Sequence, residues 1–517
     1  MAELLLELYS EEIPPLLQIE ARTQLEQLTE NSFKEKNIPF KEIVTFSTPT
    51  RLSLSVKDIP ETIKIAAKEI RGPNVNSSEQ IIEGFAKAKN LTIKDLVKKK
   101  TEKGFFYFTK TEQEVIVVAD LLHVILPKTL AAINWKKSMR WSDHNMMWGR
   151  PLRAIFVIFK HKKLPIKFGH LEATENVIVE QNLNYKSKKI LDYKEYQSFL
   201  RSNNIILDQD ERQKKILKKI NELSKSKNFQ EKINSKLLNE VVNIVEEPNV
   251  LLANFNKEYL KIPEEIIIST LEKHQRYFPI FNHRGNLTNS FFVVANKKDE
   301  KKLIIEGNKR VVEARLSDAK FFWDKDKSKN LIKQIANLKN IMFYEKLGTI
   351  YDKTQRVRKL AALLSDDLNI NKEKIQIAAS ISKSDLCSDL VREYPELQGV
   401  MGKYFALSQG FEDEVAKSVS EHYLPTGITS VVPKKPFSYS ISIVDRIDTL
   451  AGFFIINEKP TSSKDPFALR RAAIGLLRVI IENKLHFRLR DLISYSIRLY
   501  EEQGVQILNE KAEIEIL

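Results

Sequence analysis

A change of hydrophobic period along the chain restricts the fold more than any other feature. Up to about residue 335, strand and helix signals are mixed: apolar residues alternate in Glu3 to Tyr9 and Arg51 to Lys57, and Ala154 to Phe159 reads as a buried strand. Beyond that point good helix formers fill Leu360 to Leu368, Ile375 to Ser384 and Leu386 to Arg392, and strand signals are few. A period of two lines a sheet face, whereas a period of 3.6 lines a helix stripe, so the two stretches cannot share one architecture. The expectation is a multi-domain fold: an α+β N-terminal half over residues 1–335, with more than one subdomain, followed by a mostly α-helical domain over 336–517. The length agrees, since 517 residues exceed what one compact core serves.

Local signals refine this picture. Tyr277 to Phe281 and Ser290 to Ala295 are β-prone, and Asn282, His283, Arg284 and Gly285 between them predict a hairpin. Pro263 to Lys273 reads as a helix start and body. Glu211 to Lys227 predicts an amphipathic helix with Ile216, Leu217, Ile220 and Leu223 on one side, while Arg212, Lys214, Lys215, Lys218 and Lys219 crowd the others as a solvated or RNA-facing surface. Gly427, Pro433 and Pro436 place a loop over Thr426 to Phe437.

Several function classes are set aside by composition. One cysteine, Cys387, cannot build a disulfide framework or a zinc ribbon, and reads as a small buried hydrophobe on a helix. The acidic start MAELLLELYSEE is unlike a secretory signal, and no apolar run reaches the roughly 20 residues of a membrane span, so a cytoplasmic protein that is not membrane-embedded is expected. No GxxxxGK[ST] loop and no metalloprotease histidine spacing occurs. The formal net charge of +15 and pI of 9.3 suggest a polyanionic partner, although lysine-rich composition alone produces such an excess.

Arginines inside patterned segments are sharper clues than total charge. Trp135, Lys136, Lys137, Arg140, Trp141, Trp148, Arg150 and Arg153 interleave aromatics with cations, as stacking on unpaired bases beside phosphates requires; the tryptophans serve equally well as core anchors. Arg310 and Arg315 fall on a predicted helix with Asn308 as its cap, and an ion pair with Glu313 or Asp318 is their simpler role. The stretch Pro460 to Gly475, PTSSKDPFALRRAAIG, predicts a helix over Asp465 to Ile480, capped by Asp465 with Pro466 in its first turn. Leu469, Ala472, Ala473, Leu476, Leu477 and Ile480 form its core stripe, and Arg470, Arg471 and Arg478 its basic edge.

That segment resembles a signature of the β subunit of bacterial heterotetrameric glycyl-tRNA synthetase, and other segments agree in order. They are LLLELYSEEIPP (Leu4 to Pro15), FSTPTRLSLSV (Phe46 to Val56), RGP (Arg71 to Pro73), KKSMRW (Lys136 to Trp141) and WGRPLRAIFVIF (Trp148 to Phe159). LDQDERQKKI (Leu207 to Ile216), LEKHQRYFPIFNHRGNL (Leu271 to Leu287), EGNKRVVEARLSDAKFFWDKD (Glu306 to Asp326), KSDLCSDLVREYPELQGVMGKYFA (Lys383 to Ala406) and EHYLP (Glu421 to Pro425) follow.

The resemblance implies a subunit that binds tRNA(Gly) and joins a separate catalytic α subunit in an α2β2 assembly, with ATP and magnesium used through that partner and none bound here. It implies no catalytic or metal-ligating residue in this chain. RNA contacts would fall on Lys136, Lys137, Arg140, Trp141, Arg150, Arg153, Arg310, Arg315, Arg470 and Arg471. It also implies that the helical domain is HD-like, with Ser384-Asp385 at the position of the His-Asp doublet; only His422 lies between residues 335 and 485, so a multi-histidine metal site cannot be assembled there. The family's C-terminal anticodon-binding domain is expected to be largely absent, as the sequence stops at Leu517. A metal-dependent phosphohydrolase and a general RNA-binding scaffold are the alternatives.

Overall fold

The computed structural model describes residues 2–65, 69–110, 114–181, 184–230 and 232–517. The chain divides into two compact units, residues 1–252 with 292–304, and residues 253–291 with 305–517.

The first unit is built on a sheet in the order Lys167–Phe168, Leu171–Thr174, Leu152–Phe159, Ala2–Ser10, Arg51–Ile59, Glu42–Thr48. Its ladders are antiparallel except for Leu171–Thr174, which runs parallel to Leu152–Phe159 with Ala173 opposite Ile155. The alternation legible in the sequence sets its two faces. Leu4, Leu6 and Leu8 point into one core with helices Pro15–Glu35 and Val118–Ala131, whose Leu25, Leu122 and Leu126 are buried there. Leu5 points into the other, beneath Tyr196 and Leu200 of helix Tyr193–Ser202 and the hairpin Asn176–Gln181/Asn184–Lys189.

On that second face two family-like segments meet through buried charge. Arg51, paired across the ladder with Tyr9, places Nε 3.2 Å from Glu7 and one terminal nitrogen 3.2 Å from Glu246, and donates to the Ile178 carbonyl at 2.6 Å. The Tyr196 hydroxyl donates to Glu7. Burial raises the Glu7 carboxyl, against the lowering effect of Arg51. A smaller sheet, Glu69–Asn74, Gly104–Lys110 and Val97–Thr101, carries its own core of Ile82, Ala86, Leu96 and Tyr107 under helix Glu79–Lys87. There Arg71 lies 3.5 Å from the centre of the Phe106 ring.

The second unit contains the turn of the predicted hairpin, closed by Asn282 N–H donating to the Asn286 carbonyl at 2.9 Å between strands Phe278–Phe281 and Leu287–Ala295. The predicted helix before it is Glu264–Ser269, continued by a wider turn at Thr270–His274. From residue 305 onward helices dominate, and among the described residues only the short ladder Met342–Tyr344/Gly348–Thr349 interrupts them. The helix run expected at Leu386 to Arg392 is instead a tight turn Ser384–Cys387 followed by Asp389–Glu393; Cys387 is half-buried in that turn. Pro436–Ile455 is the central helix, buried on nearly every side, and packs against Ile350–Asp367, Asp413–Glu421, Leu469–Glu482 and Leu489–Glu502. No helix among the described residues is long and apolar enough to cross a membrane.

Candidate nucleic-acid interface

The segment Trp135 to Arg153 buries some of its aromatics and leaves others and several cations partly or fully exposed. Met139 and Trp148 form an isolated antiparallel bridge, with Met139 N–H donating to the Trp148 carbonyl at 2.9 Å. Trp148 is buried between Trp135 and Phe168, ring centres 4.9 and 5.3 Å away, and Trp141 is half-buried with its edge toward His144 and His170. Trp148 is a core anchor, whereas Trp135 and Trp141 are half-buried. Three of the cations are also engaged: Lys136 with Glu20, Arg150 with the Gly149 carbonyl at 2.9 Å, and Arg153 with Glu180 at 2.7 Å. Lys137 and Arg140 remain exposed.

Helix Leu303–Lys327 carries Arg310 and Arg315, but Asn308 is not its cap. The helix begins a full turn earlier, and Asn308 inside it accepts from the Tyr277 hydroxyl. Arg315 pairs with Glu393 at 3.4 Å rather than with Glu313 or Asp318, and Glu313 accepts the Asn256 N–H at 3.0 Å. Arg310 is exposed.

The signature helix also departs from expectation. It spans Leu469–Glu482 and starts after Ala468, whose φ of 55° turns the chain sharply. Asp465 does satisfy the helix amides, yet from four residues upstream, accepting from Leu469 N–H at 2.8 Å and Arg470 N–H at 3.1 Å. Pro466 stays outside because Phe467 beside it is drawn into stacking on Phe453 at 4.3 Å. The later start leaves Leu469, Gly475, Leu476 and Val479 as the buried residues and Leu477 exposed, not in the core stripe; Ala472, Ala473 and Ile480 are half-buried. Arg470 donates to the Thr461 carbonyl and Arg478 pairs with Glu482 at 2.8 Å, so neither Arg470 nor Arg471 makes an ion pair among the described residues. Arg470, Arg471 and Arg478 line a cavity of about 240 Å³ with Ile428, Ile474 and Gly475.

Sequence reasoning missed a buried charge network in the same unit. Asp448 on the central helix accepts Arg356 Nε at 2.6 Å, Lys353 Nζ at 3.1 Å and the Tyr500 hydroxyl at 3.2 Å. Asp445, one turn earlier, lies 3.4 Å from Lys353 and 3.3 Å from Lys383. Lys383 Nζ lies 2.8 Å from His422 Nε2, and His422 Nδ1 lies 3.2 Å from the Ser418 carbonyl. An ammonium donates at the first contact, so Nδ1 carries the ring proton and the imidazole is neutral. The signal was available: Asp445, Arg446 and Asp448 are charges on an otherwise apolar helix, and buried charges require partners.

Asp385, at the expected doublet, accepts Gly399 N–H at 2.5 Å and Gly402 N–H at 3.0 Å, and burial pushes its carboxyl up to about 6. Gly402 is fixed by this contact, since a Cβ there would lie 2.6 Å from Val419 Cγ1 and 3.0 Å from the Asp385 carboxylate. Among the described residues no three His, Cys, Asp or Glu side chains converge as a metal set.

Burial first, then Lys383, depresses the His422 imidazole to about 3. Its folded value lies below the unfolded one of roughly 6.5, so the unfolded chain binds the extra proton and stability falls as pH drops from about 6.5 toward 3. Comparing urea unfolding of the wild type with His422→Gln should therefore show a stability difference that shrinks by up to about 1.4 kcal/mol per pH unit across that window. A difference independent of pH would show that the imidazole is already protonated in the native state.

A family model described as glycyl-tRNA synthetase beta subunit matches residues 4–515. The glycine–tRNA ligase beta subunit of Rickettsia typhi is 37% identical over 502 residues, which cover 97% of this chain and 75% of that protein. That of Rickettsia felis is 37% identical over 503 residues with the same coverage, and that of Rickettsia canadensis 36% identical over 505 residues, covering 98% and 75%.

Proposed function

The chain belongs to the glycyl-tRNA synthetase beta subunit family, an aminoacyl-tRNA synthetase subunit, and from that membership we propose that it binds tRNA(Gly) and assembles with a catalytic α subunit as α2β2. The observation that carries the reading is the family match from residue 4 to residue 515, which spans both compact units. ATP-dependent attachment of glycine takes place on the α subunit, where ATP and magnesium are used, and the complex works in the cytoplasm. The net charge of +15 and the exposed Lys137, Arg140, Arg310 and Arg471 support contact with a polyanion.

The helical unit serves in this reading as an HD-like scaffold without metal chemistry of its own. What supports that role is the use of Asp385 as an internal acceptor for two backbone amides and of Asp445 and His422 as partners of lysine ammoniums. The test is reconstitution. Purified chain added to the α subunit should raise the rate of tRNA(Gly) glycylation by roughly a hundredfold or more, the scale that substrate positioning supplies. A rate no higher than that of the α subunit alone, with no co-purifying complex, would sink the proposal.

A further inference from the structure

We propose that the cavity beside helix Leu469–Glu482 is a binding site for the phosphoester of an unpaired RNA nucleotide, an inference that rests on the tRNA-binding reading above. Arg471, Gly475 and Arg478 follow one another at helical spacing, so two guanidinium groups flank a bare patch of backbone, with Arg470 at the entrance. Arg471 is exposed and makes no hydrogen bond or ion pair among the described residues.

The floor adds an independent observation. Arg446 lies buried under Gly475, where a Cβ would come within 2.8 Å of its Nε. Its terminal nitrogens donate to oxygens without formal charge, namely the Ser442 hydroxyl and the carbonyls of His422 at 3.2 Å, Ser442 at 3.0 Å, Tyr423 at 3.1 Å and Pro425 at 3.1 Å. Among the described residues no carboxylate lies within ion-pair distance of it. The charge of Arg446 is partly offset by the neighbouring Asp445, and the buried side chain underlies the Gly475 backbone that forms the bare patch. The one carboxylate in the lining, Asp465, is already engaged by the two helix amides. With Arg478 paired to Glu482, Arg470 and Arg471 against Asp465 leave the lining net cationic, and arginine forks suit phosphoester oxygens.

Size and apolar surface narrow the ligand. The cavity, about 240 Å³ and open to solvent, has room for a phosphoryl group with a sugar or a base edge beside it. Ile428, 76% exposed, and Ile474, 44% exposed, supply an apolar wall against which such a sugar or base rests. Paired RNA keeps its bases inside the helix, so a single unpaired nucleotide meets both requirements together.

The experiment measures affinity of the chain for tRNA(Gly) as a function of salt, for the wild type, Arg471→Gln and Ile428→Glu, with Arg488→Gln as a control on a different exposed helix end. Thermal unfolding of each variant checks the fold, and AMP is tested separately as a free mononucleotide. Arg471→Gln should weaken binding about tenfold and lower the log–log salt slope by roughly 0.7, the value for one single-stranded phosphate contact. Ile428→Glu, which leaves every arginine in place, should weaken binding in the same direction, and Arg488→Gln should not. Unchanged affinity and slope in folded Arg471→Gln overturns the site while leaving tRNA binding standing. Wild-type chain that fails to bind tRNA(Gly) overturns both. AMP binding lost in Arg471→Gln without any change toward tRNA overturns the RNA assignment in favour of a mononucleotide.

Discussion

Asp448→Ala is expected to destabilise the helical unit by about 3–5 kcal/mol, the range measured when one partner of a buried ion pair is removed. The carboxylate is fully buried and holds Arg356, Lys353 and the Tyr500 hydroxyl, so its loss leaves the buried Arg356 guanidinium without a counter-charge and Lys353 with Asp445 alone. Arg356 also stacks on the Tyr500 ring at 3.7 Å, and that hydroxyl occupies the place a side chain at Gly452 would need. The network therefore links helices Ile350–Asp367, Pro436–Ile455 and Leu489–Glu502 at one point. Urea unfolding followed by hydrogen exchange in the Pro436–Ile455 amides reads the loss in this unit separately from the other. A cost below about 1 kcal/mol, the level of an exposed ion pair, would mean that water reaches these charges.

Arg212→Ala should produce a comparable loss, about 3–5 kcal/mol, in the N-terminal unit. Arg212 was expected on the solvated side of its helix, and the structure corrects this: it is wholly buried and donates to the carbonyls of Ile206, Leu207, Val242 and Ser47 at 2.7 to 3.0 Å. Burial lowers its guanidinium to about 10. Truncation removes four hydrogen bonds and leaves their acceptors buried around a cavity. Arg212→Lys should recover only part of the loss, because one ammonium cannot reproduce a planar fork. The measurement is the unfolding midpoint of the unit, with Lys214→Ala on the exposed face as the reference that should change little.

The contrast between these neighbours explains how much was legible. Strands Ala2–Ser10, Arg51–Ile59 and Leu152–Phe159, and helix Gln209–Lys227, follow from apolar spacing because each buries a face set by its own period. Arg212 and Lys214 look alike in that pattern, yet one faces carbonyls supplied by a strand 165 positions away and the other faces water. Likewise Trp148 and Lys136 read together as an RNA surface, but the depth of the tryptophan depends on Phe168 and the lysine on Glu20, neither of which is near in sequence. Asp465 was recognised as a capping residue, but the left-handed Ala468 and the stacking of Phe467 on the distant Phe453, which place it upstream of the helix, were not readable locally. Local period was readable; which charges are internal was decided by long-range partners.

The division of the chain also has a consequence for its synthesis. Residues 253–291 belong to the second unit but lie between the two pieces of the first, whose last piece ends at residue 304. Domains emerging from the ribosome fold as units, the N-terminal one first. The two large cores of the first unit draw only on residues up to Leu207, so they can close before that neighbouring segment is made; what waits is strand Asn249–Asn254, whose ladder partner is Leu287–Ala295. Until that partner has been synthesised, strand Asn249–Asn254 presents an unpaired edge.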